Sequence, residues 1–300
     1  MKAITPFIVI CLFATRVFAG EPSGYDSFKT LKLKFDNGVA FVTIDHPPIN
    51  LIDMGMAKEL GMVTGMLAKD RRVKVIVFQN DNPDYFLAHF DVTTLDSIPK
   101  MTEKPTELGS WQKLVETLRL MPKVTIAKIR GRARGAGHEF ALAMDMRFGA
   151  INSTIIGQPE IALGILPGGG GTVRLSRITT RGRALEIILS GNDFDAVTAE
   201  KYGILNRALP LDELDSTVDQ LARQIASFSG EAIRLTKTAF NAVEETTYQE
   251  GLLQEGYIFN QAVKSETAVK IINRAMKNGF QTYEGELDLP RIYPRLSVPD

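Results

Sequence analysis

The 300 residues hold one cysteine, one tryptophan and three histidines. The cysteine, Cys11, lies within the first twenty residues, so a chain that starts near Gly20 has none. That excludes disulfides, a thiol nucleophile and a thiolate metal site from the body of the protein. His46, His89 and His138 stand on separate segments without ligand spacing, and no metal is expected. Charge of one sign is missing too. Lys and Arg number 35 and Asp and Glu number 35, so no global field draws the chain to nucleic acid or a membrane surface. Internal repeats and low-complexity segments are absent. Ser176 and Ser190 lack the flanking elbow of an esterase nucleophile.

What is present begins with "MKAITPFIVICLFATRVFAG". Lys2 precedes an apolar run over 3–14, and Val17-Phe18-Ala19 supplies small and apolar residues before Gly20. This is the layout of a secretory signal and is too short for a membrane span. Residues 1–19 are therefore expected to be a signal peptide that exports the chain to the periplasm or beyond. An organellar presequence is the rival, since the segment lacks acids, and a cytoplasmic or organellar site follows if it is not a signal. Loss of Lys2 and Arg16 leaves 35 − 2 = 33 bases against 35 acids, a charge near −2.

The chain as a whole is 44% hydrophobic in composition, ample for a packed core. "LKLKFDNGVAFVTID" alternates on both sides of Asp36-Asn37-Gly38 and predicts a hairpin. "HPPIN" breaks regularity. Helical spacing predicts a helix over 53–69 and another over about 107–120. "VKVIVFQ" (73–79) and "VTIAKI" (124–129) read as buried strands, with 80–106 loop-rich between them. Trp111 and the methionines of 54–66 read as core or helix packing. Strand and helix alternate to about 210, which predicts an α/β fold. Helices are then expected over 211–226, 229–242, 246–263 and 266–278. The organisation is a core over 20–220 and a C-terminal helical region over 221–300, the boundary falling near 215–228.

Two stretches carry candidate chemistry. "RGRARGAGHEF" follows a strand and opens a helix. Its bare backbone suits either a ligand at the unpaired N–H groups of the helix start or a tight strand-to-helix turn. No Gly-Lys-Ser/Thr follows, so it is not a P-loop. "IIGQPEIALGILPGGGGTVRL" adds a second carboxylate and four glycines before a helix near Thr172. Glu139 and Glu160 are 160 − 139 = 21 positions apart, so only the fold brings them together. A convergent pair suits acid/base work, one carboxylate in each protonation state. Two surface glutamates would be the plain alternative, which their apolar, glycine-rich flanks oppose.

Both blocks, with "RALEIILSGNDFDAVTAEKYGILNRALP", "HPPIN" and "YFLAHFDV", resemble the crotonase (enoyl-CoA hydratase/isomerase) superfamily over roughly 30–280. The resemblance implies a spiral of ββα units with a C-terminal helical region that builds trimers or hexamers. It implies an acyl-CoA substrate and no separate cofactor, coenzyme A being part of the substrate. The N–H groups of Phe90 and Ala136 would bind the thioester oxygen. Glu139 would activate water and Glu160 would protonate Cα; isomerases of the family often keep only the carboxylate at the Glu160 position. "HPPIN" and Ala88 fall where the family holds adenine and pantetheine, and His89, Asp91, Gly135, Pro159, Pro167 and Gly168 complete the implied substrate site.

Some residues depart from the family pattern: Ala136 for glycine, Phe90 for a small residue, His89 for glycine, and His138 before the first glutamate. The bases Lys128, Arg132 and Arg134 crowd the same segment. The Phe90 ring is expected to face the acyl pocket, because alternation assigns Asp91 and Val92 to the core side. Hydration of 2-enoyl-CoA is the leading expectation. Isomerisation or thioester hydrolysis on the same fold, or a non-catalytic acyl-CoA-binding or secreted interaction protein, are the alternatives. The signal-like start supports the last of these, and the two retained glutamates oppose it.

Overall fold

Val75, Ile76, Val77 and Phe78 are all fully buried, yet they serve two different cores. Ile76 and Phe78 join one apolar cluster, and Val75 and Val77 join another on the opposite face of the same strand. A strand covered on both faces reads as a continuous apolar run rather than an alternating one, which accounts for "VKVIVFQ". The computed structural model describes residues 24–296 apart from 26, 99, 100 and 245, so the apolar segment 1–19 lies outside the described residues.

Among the described residues the strands are β1 (Leu31–Asp36), β2 (Val39–Ile44), β3 (Val75–Asn80), β4 (Tyr85–Leu87), β5 (Val124–Ile129), β6 (Arg132–Arg134), β7 (Met146–Ala150), β8 (Ile155–Gly157), β9 (Asp193–Asp195) and β10 (Arg207–Leu209). One sheet has the order β1-β2-β3-β5-β7-β10, the other β4-β6-β8-β9. The pairings are parallel except β1–β2 and β8–β9. The β1–β2 turn places Asn37 and Gly38 at φ 46° and 85°, the pair of left-handed residues a two-residue hairpin demands.

The helices are α1 (Met54–Lys69), α2 (Ser110–Leu120), α3 (Ala136–Leu142), α4 (Gly171–Ile178), α5 (Arg181–Ser190), α6 (Ala196–Lys201), α7 (Leu211–Ser227), α8 (Gly230–Val243), α9 (Tyr248–Lys264) and α10 (Glu266–Lys277), followed by two four-residue helices. β3–β4–α2 and β5–β6–α3 are successive turns of one spiral. Each gives a strand to the large sheet, a strand to the small sheet and then a helix; β7–β8 repeats the two-strand part.

The C-terminal helices match the expected spans to within two residues, and the α/β fold is as expected. The expected boundary at 220 lies within one helix. It falls inside α7, whose stripe Leu214, Val218, Ala222 and Ala226 is buried against the second face of the large sheet. A helix with an i, i+4 apolar stripe on a sheet belongs to that sheet's core, and Ile233 of α8 joins the same cluster. The loop-rich reading of 80–106 missed β4 and a 3₁₀ helix over Val92–Ser97.

Candidate active site

The turn between β6 and α3 is bare for two physical reasons. Gly135 has φ 50°, which favours glycine, and its N–H donates to the Gly157 carbonyl at 3.0 Å. A Cβ on Gly137 would overlap the carbonyl oxygens of Leu87 and Ala88, so the start of α3 sits directly on the end of β4. Ala136 is the first residue of α3, and its N–H has no acceptor within the helix by position.

On the facing segment, Phe90 forms an isolated parallel bridge with Ile52. Ile52 N–H donates to His89 O at 3.2 Å and Asp91 N–H to Ile52 O at 3.0 Å. In that ladder pattern the Phe90 N–H points away from Ile52. "HPPIN" docks beside it. The fully buried Asn50 donates from Nδ2 to the carbonyls of Tyr85 (2.8 Å) and Phe86 (3.2 Å), and its carbonyl accepts from Ala88 N–H at 3.1 Å.

Glu139 lies in the first turn of α3, only 3% exposed. Its Oε1 accepts from the N–H groups of Gly169 and Gly171, each at 2.8 Å. The four-glycine run is thus a cradle for the protein's own carboxylate, a role the sequence did not disclose. Burial raises the Glu139 pKa, opposed by the two backbone donors and by the Arg174 guanidinium. Arg174 is itself anchored to the Gly169 carbonyl at 3.1 Å and to Glu116 at 2.5 Å.

Glu160 follows Pro159 on a 3₁₀ helix over Pro159–Leu163. Burial, and then the charge of Glu139, push its pKa up to about 7. A Cβ on Gly135 would stand 2.9 Å from Glu160 Oε1 and 3.2 Å from His89 Cβ, so this carboxylate faces the start of α3. Behind it, the fully buried Gln158 donates from its amide nitrogen to both Glu160 oxygens, at 3.1 and 3.0 Å, and accepts from His138 Nδ1 at 3.3 Å. That amide orientation gives both neighbours complementary partners, and its two donors favour the charged carboxylate, opposing the rise that burial causes. Burial, and then Arg147, lower the His138 pKa to about 3, so the ring is neutral. His138 therefore points away from Glu139, as adjacent helix positions must, yet reaches the second carboxylate through Gln158.

The fold brings the expected residues Glu139, Glu160, Gly135, Ala136, Ala88 and His89 to one end of the spiral. Pro167 joins them at Gly171, where an added Cβ would stand 2.8 Å from Pro167 Cβ and 3.0 Å from Glu139 Oε1, and Gly168 precedes Gly169, whose N–H holds Glu139. Asp91 is different: its carboxylate accepts from Thr93 N–H (3.0 Å) and Thr93 Oγ1 (2.7 Å), capping the 3₁₀ helix that follows. Val92 is 41% exposed, so the expected core-side placement of Asp91 and Val92 does not hold. The alternation argument failed because the chain leaves β4 and turns into a helix there.

The Phe90 ring instead meets Trp111 edge-on at 6.0 Å, and Trp111 lies 6.2 Å from Phe140. Sequence reasoning took Trp111 for packing alone and passed over Gln158 and Arg174; only long-range contacts reveal them. The crowding bases are paired or stacked. Lys128 meets Asp215 at 2.9 Å and Asp219 at 3.0 Å, Arg134 meets Asp193 at 2.7 Å, and Arg132 lies over the Tyr85 ring. Among the described residues no group of His, Cys, Asp or Glu is placed to hold a metal ion.

A family model described as enoyl-CoA hydratase/isomerase matches residues 34–284. The chain belongs to that family. It is 31% identical over 264 residues to a Dictyostelium discoideum protein named "Probable enoyl-CoA hydratase, mitochondrial", covering 87% of this chain and 93% of the relative. It is 31% identical over 236 residues to the short-chain-enoyl-CoA hydratase of Clostridium acetobutylicum, covering 78% and 89%. Among solved structures, an enoyl-CoA hydratase of Geobacillus kaustophilus superposes with TM-score 0.76 at 26% identity, covering 83% of this chain and 94% of that one. Pseudomonas aeruginosa DspI superposes equally, with TM-score 0.76 at 26% identity, covering 86% and 97%.

Proposed function

We propose that the protein hydrates 2-enoyl-CoA thioesters. The observation that carries this reading is a pair of unlike carboxylates at one site: Glu139 fixed by two backbone donors, and Glu160 held near neutral pH. With Oε1 occupied, Glu139 offers Oε2 to a water. Water gives a proton to Glu139 as its oxygen bonds to C3, and Glu160 gives a proton to C2. The pair ends with its single proton moved from Glu160 to Glu139, and solvent exchange restores it. The negative charge that develops on the thioester oxygen would be met by the N–H groups of Phe90 and Ala136, the second at a helix start where the dipole adds to it.

Ala88, His89, Gly135, Pro159, Pro167 and Gly168 belong to this acyl-CoA site in the same reading. Assembly into trimers or hexamers, and an export signal in residues 1–19, go with it; N-terminal sequencing of protein from its host tests the signal. The test of function is crotonyl-CoA, followed by loss of absorbance of the conjugated thioester and by identification of the product. The 3-hydroxy product is expected, and Glu139→Gln and Glu160→Gln should each lower the rate by about 100-fold or more. Free coenzyme A or a 3-enoyl isomer as the sole product, or near-normal turnover in either variant, would overturn the reading.

A further inference from the structure

The one tryptophan of the chain, Trp111, has a buried indole nitrogen with no hydrogen-bond partner among the described residues. A donor left unpaired in a dry place costs free energy, and native structures retain few of them without a reason. Its position supplies one. A Cβ built on Gly169 would overlap Glu139 Oε2 and would stand 2.5 Å from Trp111 Nε1, so the indole nitrogen and the free oxygen of Glu139 flank the same point of backbone.

The other oxygen of Glu139 is taken by Gly169 and Gly171. The indole is fixed in place. The Phe90 ring packs on it edge-on, Gln112 ties α2 to the Gly168 carbonyl at 3.2 Å, and Arg174 ties Glu116 of α2 to the Gly169 carbonyl. The packing of Trp111 alone would be served by phenylalanine. The nitrogen is what packing leaves unexplained.

We propose that the Trp111 indole N–H donates to the oxygen that is added to C3 of the acyl chain: to the water before addition and to the 3-hydroxyl afterwards. That oxygen then donates to Glu139 Oε2 and accepts from Trp111, which fixes one lone pair and leaves the other directed at C3. Trp111 is on this account a positioning and selectivity residue for oxygen at C3. The inference rests on the hydratase reading, and it has a consequence that needs no turnover: the site distinguishes a 3-hydroxyacyl-CoA from the saturated acyl-CoA of equal length.

Trp111→Phe keeps an aromatic ring against Phe90 and removes the donor together with part of the bicycle, whose loss the saturated ligand reads separately. In this variant the affinity for 3-hydroxybutyryl-CoA is expected to fall about tenfold, the scale of one hydrogen bond to a buried donor. Affinity for butyryl-CoA should stay within about twofold, which also shows that the pocket has kept its shape. With crotonyl-CoA, kcat should fall about tenfold while KM stays within about twofold. Because Trp111 is the sole tryptophan, wild-type fluorescence should respond more strongly to the hydroxyacyl ligand than to the saturated one. Equal affinity changes for the two ligands, with or without a lower kcat, would mean that the indole serves Glu139 or the packing instead, and would overturn the proposal. A wild type that hydrates crotonyl-CoA beside an unchanged Phe variant overturns this inference alone. A wild type without hydratase activity but with the tenfold selective loss overturns the hydratase reading and leaves the oxygen contact standing.

Discussion

At the scale of single side chains, the proposed chemistry turns on Glu160 and the proposed selectivity on Phe90. Burial and the neighbouring charge of Glu139 hold the Glu160 pKa near 7, and the productive pair carries one proton, on Glu160 at the start of hydration. Above about pH 7 the pair loses that proton. The hydration kcat/KM is therefore expected to fall about tenfold per pH unit on the alkaline side. Dehydration of the 3-hydroxyacyl thioester starts from the same proton count with the proton on Glu139, so its alkaline limb should have the same midpoint. Steady-state rates from pH 5 to 9 in both directions check this; a flat profile between about pH 6 and 9 would mean that Glu160 does not titrate in the free enzyme.

The Phe90 ring rests on Trp111, whose indole nitrogen flanks Gly169 together with Glu139. Phe90→Ala is expected to raise kcat/KM for long-chain enoyl-CoA relative to short. Each added methylene that gains a place contributes about 0.8 kcal/mol, roughly fourfold. A chain-length series on the variant and the wild type decides it, and an unchanged profile would place the ring outside the acyl pocket.

At the level of the element, α3 is short, and both its ends are held by groups outside the helix. Its N-terminus abuts β4. At its C-terminus the buried Arg147 donates to the Met144 carbonyl at 2.5 Å and, from Nε, to the Ile204 carbonyl at 2.7 Å. Next to it, Lys237 of α8 donates to the Arg119 carbonyl at 2.9 Å and pairs with Asp145, which in turn accepts from Thr125 N–H at 2.8 Å. One lysine thus joins α8, the end of α2 and the segment after α3, and it is 10% exposed. Lys237→Ala leaves the Asp145 carboxylate without its cation and should destabilise the fold by about 2–3 kcal/mol, somewhat below the loss for a fully buried pair because Asp145 is partly solvated. Urea unfolding measures it, and a change below about 0.5 kcal/mol would show that α8 docks by its apolar face alone.

The elements were legible where a local rule decides them. The hairpin followed from Asp36-Asn37-Gly38, β5 from the segment VTIAKI, and α1 from its spacing, with Asp53 accepting from Met56 N–H as its cap. The three-residue strands β4, β6 and β8 show too little alternation to register as strands. The two carboxylates were legible because their flanking motifs are local. The glycine cradle around Glu139, the His138–Gln158 support behind Glu160 and the indole of Trp111 were not, since each joins residues at least 20 positions apart.

The whole molecule has an apolar surface that one chain leaves open. A groove of about 830 Å³ runs between the main body and α8, lined in part by Leu142, Met144, Ile225, Phe228, Ile233 and Phe240. Phe240 is 71% exposed, and Leu253, Tyr257 and Phe259 of α9 are 63%, 64% and 67% exposed. Soluble monomers seldom expose contiguous apolar patches of this kind, whereas subunit interfaces are built from them. These exposed side chains support the proposed trimer or hexamer, whose contacts would then lie on α8 and α9. Sedimentation equilibrium should then give three or six times the 33.1 kDa of the chain. Phe240→Asp puts a charge where the partner would bury it, at a cost of several kcal/mol per interface, while in the lone chain the same side chain is mostly in water. The variant is expected to keep its far-ultraviolet circular dichroism and to sediment as a smaller species at micromolar concentration. A wild-type chain that sediments as a monomer would remove the assembly from the proposed function. A Phe240→Asp variant that keeps the wild-type mass would move the interface off α8.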